Sequence, residues 1–326
     1  MSEARIAVPE PAPAGGSARR RLGDWLAQER VFRLIPFVLV EVVFIFVIII
    51  PFLLMVYISF LKWRANRPFE QAFLSGFGNY EQVLTAPGFW SALGHTFYFA
   101  GCAVVLELVI GFVLAMFVSR TVRARGLYIT IFLVPMMIVP VVVGYNFTML
   151  YIDSGPINQL LAPFLEPFGI DPRIRWLSDP AAAQWAVILA DVWQWTSLTF
   201  LIFLSGFSAL PKQLINAARV MGASAWQIFW RVELPLLKPA IVIAVVIRSM
   251  EALKIFDPVV LLTAGGPGTS TQTIAFYLWE QVWVFNKFSF GAAASILLLI
   301  IFATLIFFGI YLLVRQSAAV AQQRAP

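Results

Sequence analysis

The chain has 326 residues, of which 60% are hydrophobic and 12% charged, with a mean hydropathy of +0.84. A soluble domain carries roughly twice that charged fraction, so the composition points away from a soluble protein and toward one embedded in a lipid bilayer. The formal net charge of +6 does not signal nucleic-acid binding, because the basic residues follow membrane sidedness instead.

Residues 1–33 read as a cytoplasmic tail, disordered over PEPAPAGGSA and basic at Arg19, Arg20 and Arg21. The apolar stretch at about 34–61 is too long for a cleaved secretory core of about 7–15 residues. It is long enough to span the bilayer, which takes about 20 apolar residues. Five further stretches qualify, at about 94–118, 127–151, 183–207, 239–263 and 290–314. Each must be helical, since lipid offers no partner to exposed backbone groups, and neighbouring helices can tolerate Pro36, Pro51, Pro135 and Pro140 within spans. The predicted fold class is therefore all-α integral membrane with six transmembrane helices.

The second span holds the only cysteine, Cys102, and the only histidine, His95. No intrachain disulfide can form, and no metal site is expected, because His95 has no histidine or cysteine neighbour at ligand spacing. Glu107 lies at mid-span and is a candidate pore-facing acid, whereas Glu41 in the first span reads equally well as a helix-packing contact. The fourth span carries DVWQWTSL (191–198), a polar and aromatic patch. Aromatic faces suit sugar rings, and amides or charges suit hydroxyls.

Residues 208–238 form a loop between spans with its own pattern. Pro211 can open a helix, in which Leu214, Ala217, Ala218 and Met221 fall on one stripe. Gly222 can end that helix and Ser224 can cap a second one, which gathers Trp226, Phe229 and Trp230 before Pro235. Such a pair is either an interfacial anchor or a docking element for a soluble partner.

The fifth span contains Arg248, Glu251, Lys254 and Asp257, each three residues after the last. Neighbours at that spacing can pair. One charge alone costs about 2.5–3.5 kcal/mol at mid-bilayer, so the set reads as a charge ladder or as the polar wall of a solute path. Trp195 is twelve residues from Phe207, and Glu251 is twelve from Pro239. At about 1.5 Å per residue both stand roughly 18 Å from the inner end of their spans, near the midplane. AGGPGTST (264–271) lacks the Gly-Lys-Ser/Thr ending of a phosphate loop and reads as a turn.

Orientation follows from lysine and arginine. With the N-terminus inside, fifteen fall in cytoplasmic segments and six in external ones, while Arg248 and Lys254 lie within a span. Both termini, including a tail at 315–326, are predicted to be cytoplasmic.

The stretch NAARVMGASAWQIFWRVELPLLKP (216–239) resembles the Glu-Ala-Ala loop of ATP-binding-cassette importer permeases, with matches at Ala217, Ala218, Gly222, Ala223, Leu234 and Pro235. Asn216 and Met221 depart from that pattern, which has acidic residues there, so any contact by Asn216 would be a neutral hydrogen bond. FDPVVLLTAGGPGTSTQTIAFYLWE (256–280) resembles a signature of the carbohydrate branch, as do PFLLMVYISF (51–60) and SGFGNYEQVLTAPGFWSALGHTFYF (75–99). The chain is similar to the maltose and glycerol-3-phosphate F-type inner-membrane component over about 35–314.

The resemblance implies the type I importer permease fold over 34–314 and a bacterial plasma-membrane location. It implies a coupling helix at 212–222 that contacts the ATPase through Asn216, Ala217, Ala218, Arg219, Met221, Gly222 and Ala223. It also implies sugar contacts at Gln194, Trp195, Leu198, Arg248, Glu251, Ala252 and Ile255, while Glu107, Lys254 and Asp257 read from their own placement as pore-facing or ion-paired charges. Implied partners are a second permease subunit, two ATP-binding-cassette subunits that bind ATP and Mg, and an extracytoplasmic solute-binding protein. This chain would hold no cofactor and catalyse nothing itself. The cargo would be a disaccharide, oligosaccharide or polyol. The alternatives are glycerol-3-phosphate, with Arg248 as anion partner, or an ion-coupled carrier, although the internal repeat expected of many carriers is missing. No nucleophile, base and oxyanion set suggests a membrane enzyme.

Overall fold

The computed structural model describes residues 29–120, 123–169 and 171–322. The basic run of the predicted tail lies outside the described residues. The described residues are helical apart from turns and a hairpin of two residues per strand, Leu61–Lys62 against Phe73–Leu74. Asn79 donates from Nδ2 to the Ser59 and Leu61 carbonyls at 2.7 and 2.6 Å, fixing the chain beside that hairpin.

The described residues divide into two compact units, with the boundary between Tyr57 and Ile58. In the first, helix α1 (Glu29–Phe44) passes through a π turn (Ile45–Ile49) into α2 (Ile50–Ser59), whose last two residues belong to the second. Pro51 explains the turn: it lacks the N–H that would bond the Val47 carbonyl, and its ring crowds that carbonyl. The same device recurs in the second unit, where the π turn Phe229–Glu233 is centred four residues before Pro235.

In the second unit α3 is Gly78–Thr85, α4 Pro87–Arg120, α5 Arg125–Met137, α6 Pro140–Leu150, α7 Pro156–Leu165 and α8 Pro180–Ser208. Then follow α9 (Lys212–Val220), α10 (Ala225–Ile228), α11 (Leu234–Ala252), α12 (Asp257–Leu262), α13 (Ile274–Trp279) and α14 (Phe288–Gln322). Among the described residues, Phe37–Ser59, Pro87–Arg120, Pro180–Ser208 and Phe288–Gly309 are long and apolar enough to cross a membrane.

The predicted span at 127–151 is not straight. It consists of α5 and α6, bent by 95°. Pro140 drives the residue before it out of helical geometry, and Val139 adopts φ −60°, ψ 135°. The predicted span at 239–263 is likewise not one helix, because α11 stops at Ala252 and α12 begins at Asp257. Pro258 is the cause: a helix continued through it would lose the bond to the Lys254 carbonyl and clash with it. The last helix runs on to Gln322, into the predicted tail.

Helices α4 and α8 pack along much of their length, with α5 and α11 against α8. Gly111 allows their close approach, since a Cβ there would lie 2.1 Å from Thr199 Oγ1 and 2.8 Å from the Phe200 nitrogen. One core gathers Phe99, Val143, Tyr151, Ile188, Val259 and Phe276. Another gathers Val118, Phe200, Phe203, Phe207 and Leu237 toward the α9–α10 end.

Candidate functional site

The deepest polar feature joins three helices. Arg248 of α11 is 1% exposed, Glu107 of α4 0% and Asp191 of α8 4%. The Arg248 guanidinium donates from Nη2 to Glu107 Oε1 at 2.9 Å, from Nε to Glu107 Oε2, and from Nη2 to Asp191 Oδ2. The Trp195 ring lies 5.5 Å from its Cζ, close enough for a cation–π contact. Two carboxylates therefore share one guanidinium inside a low-dielectric core, where breaking up the set would strand a buried charge.

This differs from the expected ladder. Arg248 pairs with acids 141 and 57 residues away, not with Glu251. Glu251 accepts from Lys254 Nζ at 2.8 Å, and both of those side chains are substantially exposed. Asp257 sits in the first turn of α12, where a negative charge suits the positive end of the helix dipole. Because α11 ends at Ala252, Lys254 and Asp257 do not share a helix face with Arg248.

The expected sugar contacts separate into two groups. Trp195, Leu198 and Glu251 are half-buried and retain open surface. Gln194, Ala252 and Ile255 are buried. Gln194 donates from Nε2 to the Ile138 carbonyl at 2.8 Å, satisfying a group freed by the break between α5 and α6. The Ile255 side chain lies in the main core, and its carbonyl accepts from Thr273 Oγ1 at 2.9 Å. Asp191, which the sequence reading left within an aromatic patch, is the acid it missed. An unassigned carboxylate inside a span is itself a signal, because it needs a cation.

The helix pair forms as its sequence predicts, with small shifts. Pro211 occupies the N-cap and α9 ends at Val220. Gly222 then adopts φ +81°, a left-handed turn that glycine takes without penalty. Ser224 and Gln227 make a reciprocal capping box at 3.2 and 2.9 Å. Trp226, Phe229 and Trp230 cluster with ring centroids 5.4 to 6.3 Å apart.

The predicted apolar stripe of α9 faces largely outward. Only Ala218 is buried, whereas Leu214 is 50% exposed, Val220 89% and Met221 80%. Asn216, Ala217, Arg219 and Gly222 are also exposed and Ala223 is half-buried. The opposite face, which lines a cleft, carries Lys212, Ile215, Asn216 and Arg219.

The glycine-rich turn after α12 is closed on itself. Thr271 Oγ1 donates to the Gly266 carbonyl at 2.8 Å and lies 2.7 Å from Thr263 Oγ1. A Cβ at Gly265 would meet the Phe276 ring at 2.7 Å.

Residues 107–319 match the family described as binding-protein-dependent transport system inner membrane component. The chain is 33% identical over 292 residues to a probable ABC transporter permease of Sinorhizobium fredii, covering 89% of this chain and 91% of that one. It is 33% identical to the trehalose/maltose transport system permease MalF of Thermococcus litoralis, covering 68% and 74% of the two chains. It is 34% identical to the trehalose transport system permease SugA of Mycobacterium tuberculosis, covering 74% and 75%. Its fold matches a chain of a bacterial ABC transporter involved in import of the acidic polysaccharide alginate. The TM-score is 0.74 at 21% identity, over 90% of this chain and 99% of that one. The carrier and enzyme alternatives fall away, and the chain belongs to the binding-protein-dependent inner-membrane component family as a permease subunit of an ATP-binding-cassette importer.

Proposed function

We propose that this subunit forms half of a sugar pathway with six membrane crossings, counting α5–α6 and α11–α12 as one broken crossing each, and with both termini cytoplasmic. The observation that carries the coupling role is the outward apolar face of α9, where Leu214, Ala217 and Met221 stand exposed beside Gly222. An apolar ridge of that kind calls for a partner, and here the partner is an ATP-binding-cassette subunit holding ATP and Mg. Two such subunits, a second permease and an extracytoplasmic binding protein complete the importer. The names of the relatives, trehalose and maltose permeases among them, favour a disaccharide or oligosaccharide cargo.

Trp195, Leu198 and Glu251 are the residues through which this half meets sugar, across a pathway that the sister permease closes. Arg248 is a positioning residue that holds the Trp195 ring from behind. A glycerol-3-phosphate cargo fits poorly, because Arg248 already serves two carboxylates and Lys254 is paired with Glu251.

The test is reconstitution of the chain in liposomes with its sister permease and ATPase, followed by challenge with binding proteins loaded with different sugars. One loaded binding protein is expected to stimulate ATP hydrolysis and uptake, and Gly222→Asp or Ala217→Asp to abolish both. Stimulation that survives both substitutions would rule out the coupling role.

A further inference from the structure

Behind α9 lies a cleft of about 630 Å³ whose charges the transport reading does not use. Four cations line it: Arg120 at the end of α4, Arg125 at the start of α5, and Lys212 and Arg219 on the cleft-lining face of α9. Glu233 is the only acid among the lining residues, and Arg120 holds it at 2.7 Å. Arg125 donates to Ser208 Oγ at 3.1 Å. Among the described residues, Lys212 and Arg219 have no ion pair. The cleft thus concentrates about three uncompensated positive charges.

Its position narrows the ligand. Its walls include the ends of two helices long and apolar enough to cross a membrane, Pro87–Arg120 and Pro180–Ser208, and in the cytoplasmic orientation proposed above those ends put the mouth near headgroup depth. Exposed Trp226 and Trp230 stand on α10 and the π turn, the segment that also gives the cleft Ala225, Ile228 and Glu233, and indole rings favour that same depth. Phe207, Ile215 and Ile228 give part of the lining an apolar character, suited to a glycerol backbone below a phosphate. Basic pockets between transmembrane helices on the cytoplasmic side bind anionic headgroups by this chemistry.

We infer that the cleft seats the phosphodiester headgroup of an anionic phospholipid of the inner leaflet, held chiefly by Arg125, Lys212 and Arg219. The lipid takes the cleft-lining face of α9, and the exposed ridge of Leu214, Ala217 and Met221 remains open to a protein partner. The lipid therefore fixes the angle at which that ridge is offered.

The experiment is native mass spectrometry of the full-length chain in detergent, with dioleoyl phosphatidylglycerol or dioleoyl phosphatidylcholine added at equal concentration. Phosphatidylglycerol is expected to be retained preferentially, and Arg125→Gln with Lys212→Gln to lower its apparent affinity about thirtyfold, the effect of losing two surface cations. Arg173→Gln with Arg175→Gln, far along the chain in another loop, is expected to leave it unchanged. Equal retention of the two lipids, or no loss in the cleft variant, would overturn the proposal.

Glycerol phosphate and inorganic phosphate are added as soluble probes. Displacement of the lipid by either at equal concentration would overturn the lipid assignment in favour of a soluble phosphate ligand. Displacement by the ATPase subunit would overturn it in favour of a protein seat. Should the cleft variant fail to fold, phosphatidylglycerol with a photoactivatable headgroup is crosslinked to the unaltered chain. Adducts at 120–125 and 212–219 support the site, and adducts confined elsewhere overturn it.

Discussion

Arg248 is worth more to this fold as a shared cation than as a ligand. Its guanidinium can reach two carboxylates at once because the fork is planar and carries five donors, and Glu107 and Asp191 both take part. Removing the cation strands two acids in a dry core. Arg248→Met is therefore expected to destabilise the detergent-purified subunit by about 3–5 kcal/mol, read as a lower unfolding midpoint and less protein in the membrane. The triple variant Glu107→Gln, Asp191→Asn, Arg248→Met should recover most of that loss, because neutral groups carry no charge to strand. A triple variant as unstable as Arg248→Met would show that packing of the arginine stem, not charge, is what matters. Sequence alone offered Arg248 only its local neighbour Glu251, since helical spacing is the one distance a sequence prints. Partners 141 and 57 residues away become neighbours only once α4, α8 and α11 are packed.

At the scale of elements, chain length and hydropathy were legible and breaks were not. Four long helices stand where apolar runs of about 20 residues predict them, and the α9–α10 pair follows Pro211, Gly222 and Ser224. The two interrupted runs each turn on a proline whose effect depends on what surrounds it. Pro135 is accommodated inside α5, whereas Pro140 accompanies a 95° bend. Gln194 is needed at that bend to satisfy the Ile138 carbonyl, and such a role cannot be read from hydropathy. The contact between α4 and α8 yields a prediction of its own. Gly111→Ala places a carbon where Thr199 Oγ1 and the Phe200 nitrogen now stand, and overpacking of this kind costs about 1–3 kcal/mol. A second change, Thr199→Ala, should return only part of the loss, because the backbone nitrogen cannot be trimmed. Full recovery in thermal unfolding would mean that the helices are free to slide.

The whole molecule presents two different surfaces to its neighbours. The apolar ridge of α9 is exposed, and Trp195, Leu198 and Glu251 form a half-open face; in the proposed importer these meet the ATPase subunit and the solute path closed by the sister permease. Leu214→Asp is expected to leave membrane levels and thermal stability of the subunit unchanged, since Leu214 is half exposed. In the assembled importer it should lower binding-protein-stimulated ATP hydrolysis at least about tenfold, a loss of roughly 1.4 kcal/mol in the coupled interaction. Unchanged stimulation would move the docking face elsewhere on the loop. The sequence located this surface but left open whether the stripe of Leu214, Ala217, Ala218 and Met221 serves an anchor or a docking element, and the structure turns all but Ala218 outward. A hydrophobic stripe says that something will cover it, not that the same chain will.

The charge cluster at the centre has a mechanical meaning. Three helices riveted at one guanidinium cannot shear past each other without stranding a charge, so α4, α8 and α11 travel as one lever. The flexing must then fall on the joints at its ends, the non-helical Leu253–Phe256 segment and the π turn Phe229–Glu233. Spin labels at Val105 and Ile247, both exposed on this lever, should keep their separation through the ATP cycle. Labels at Val220 and Ile247, on opposite sides of the π-turn joint, should not.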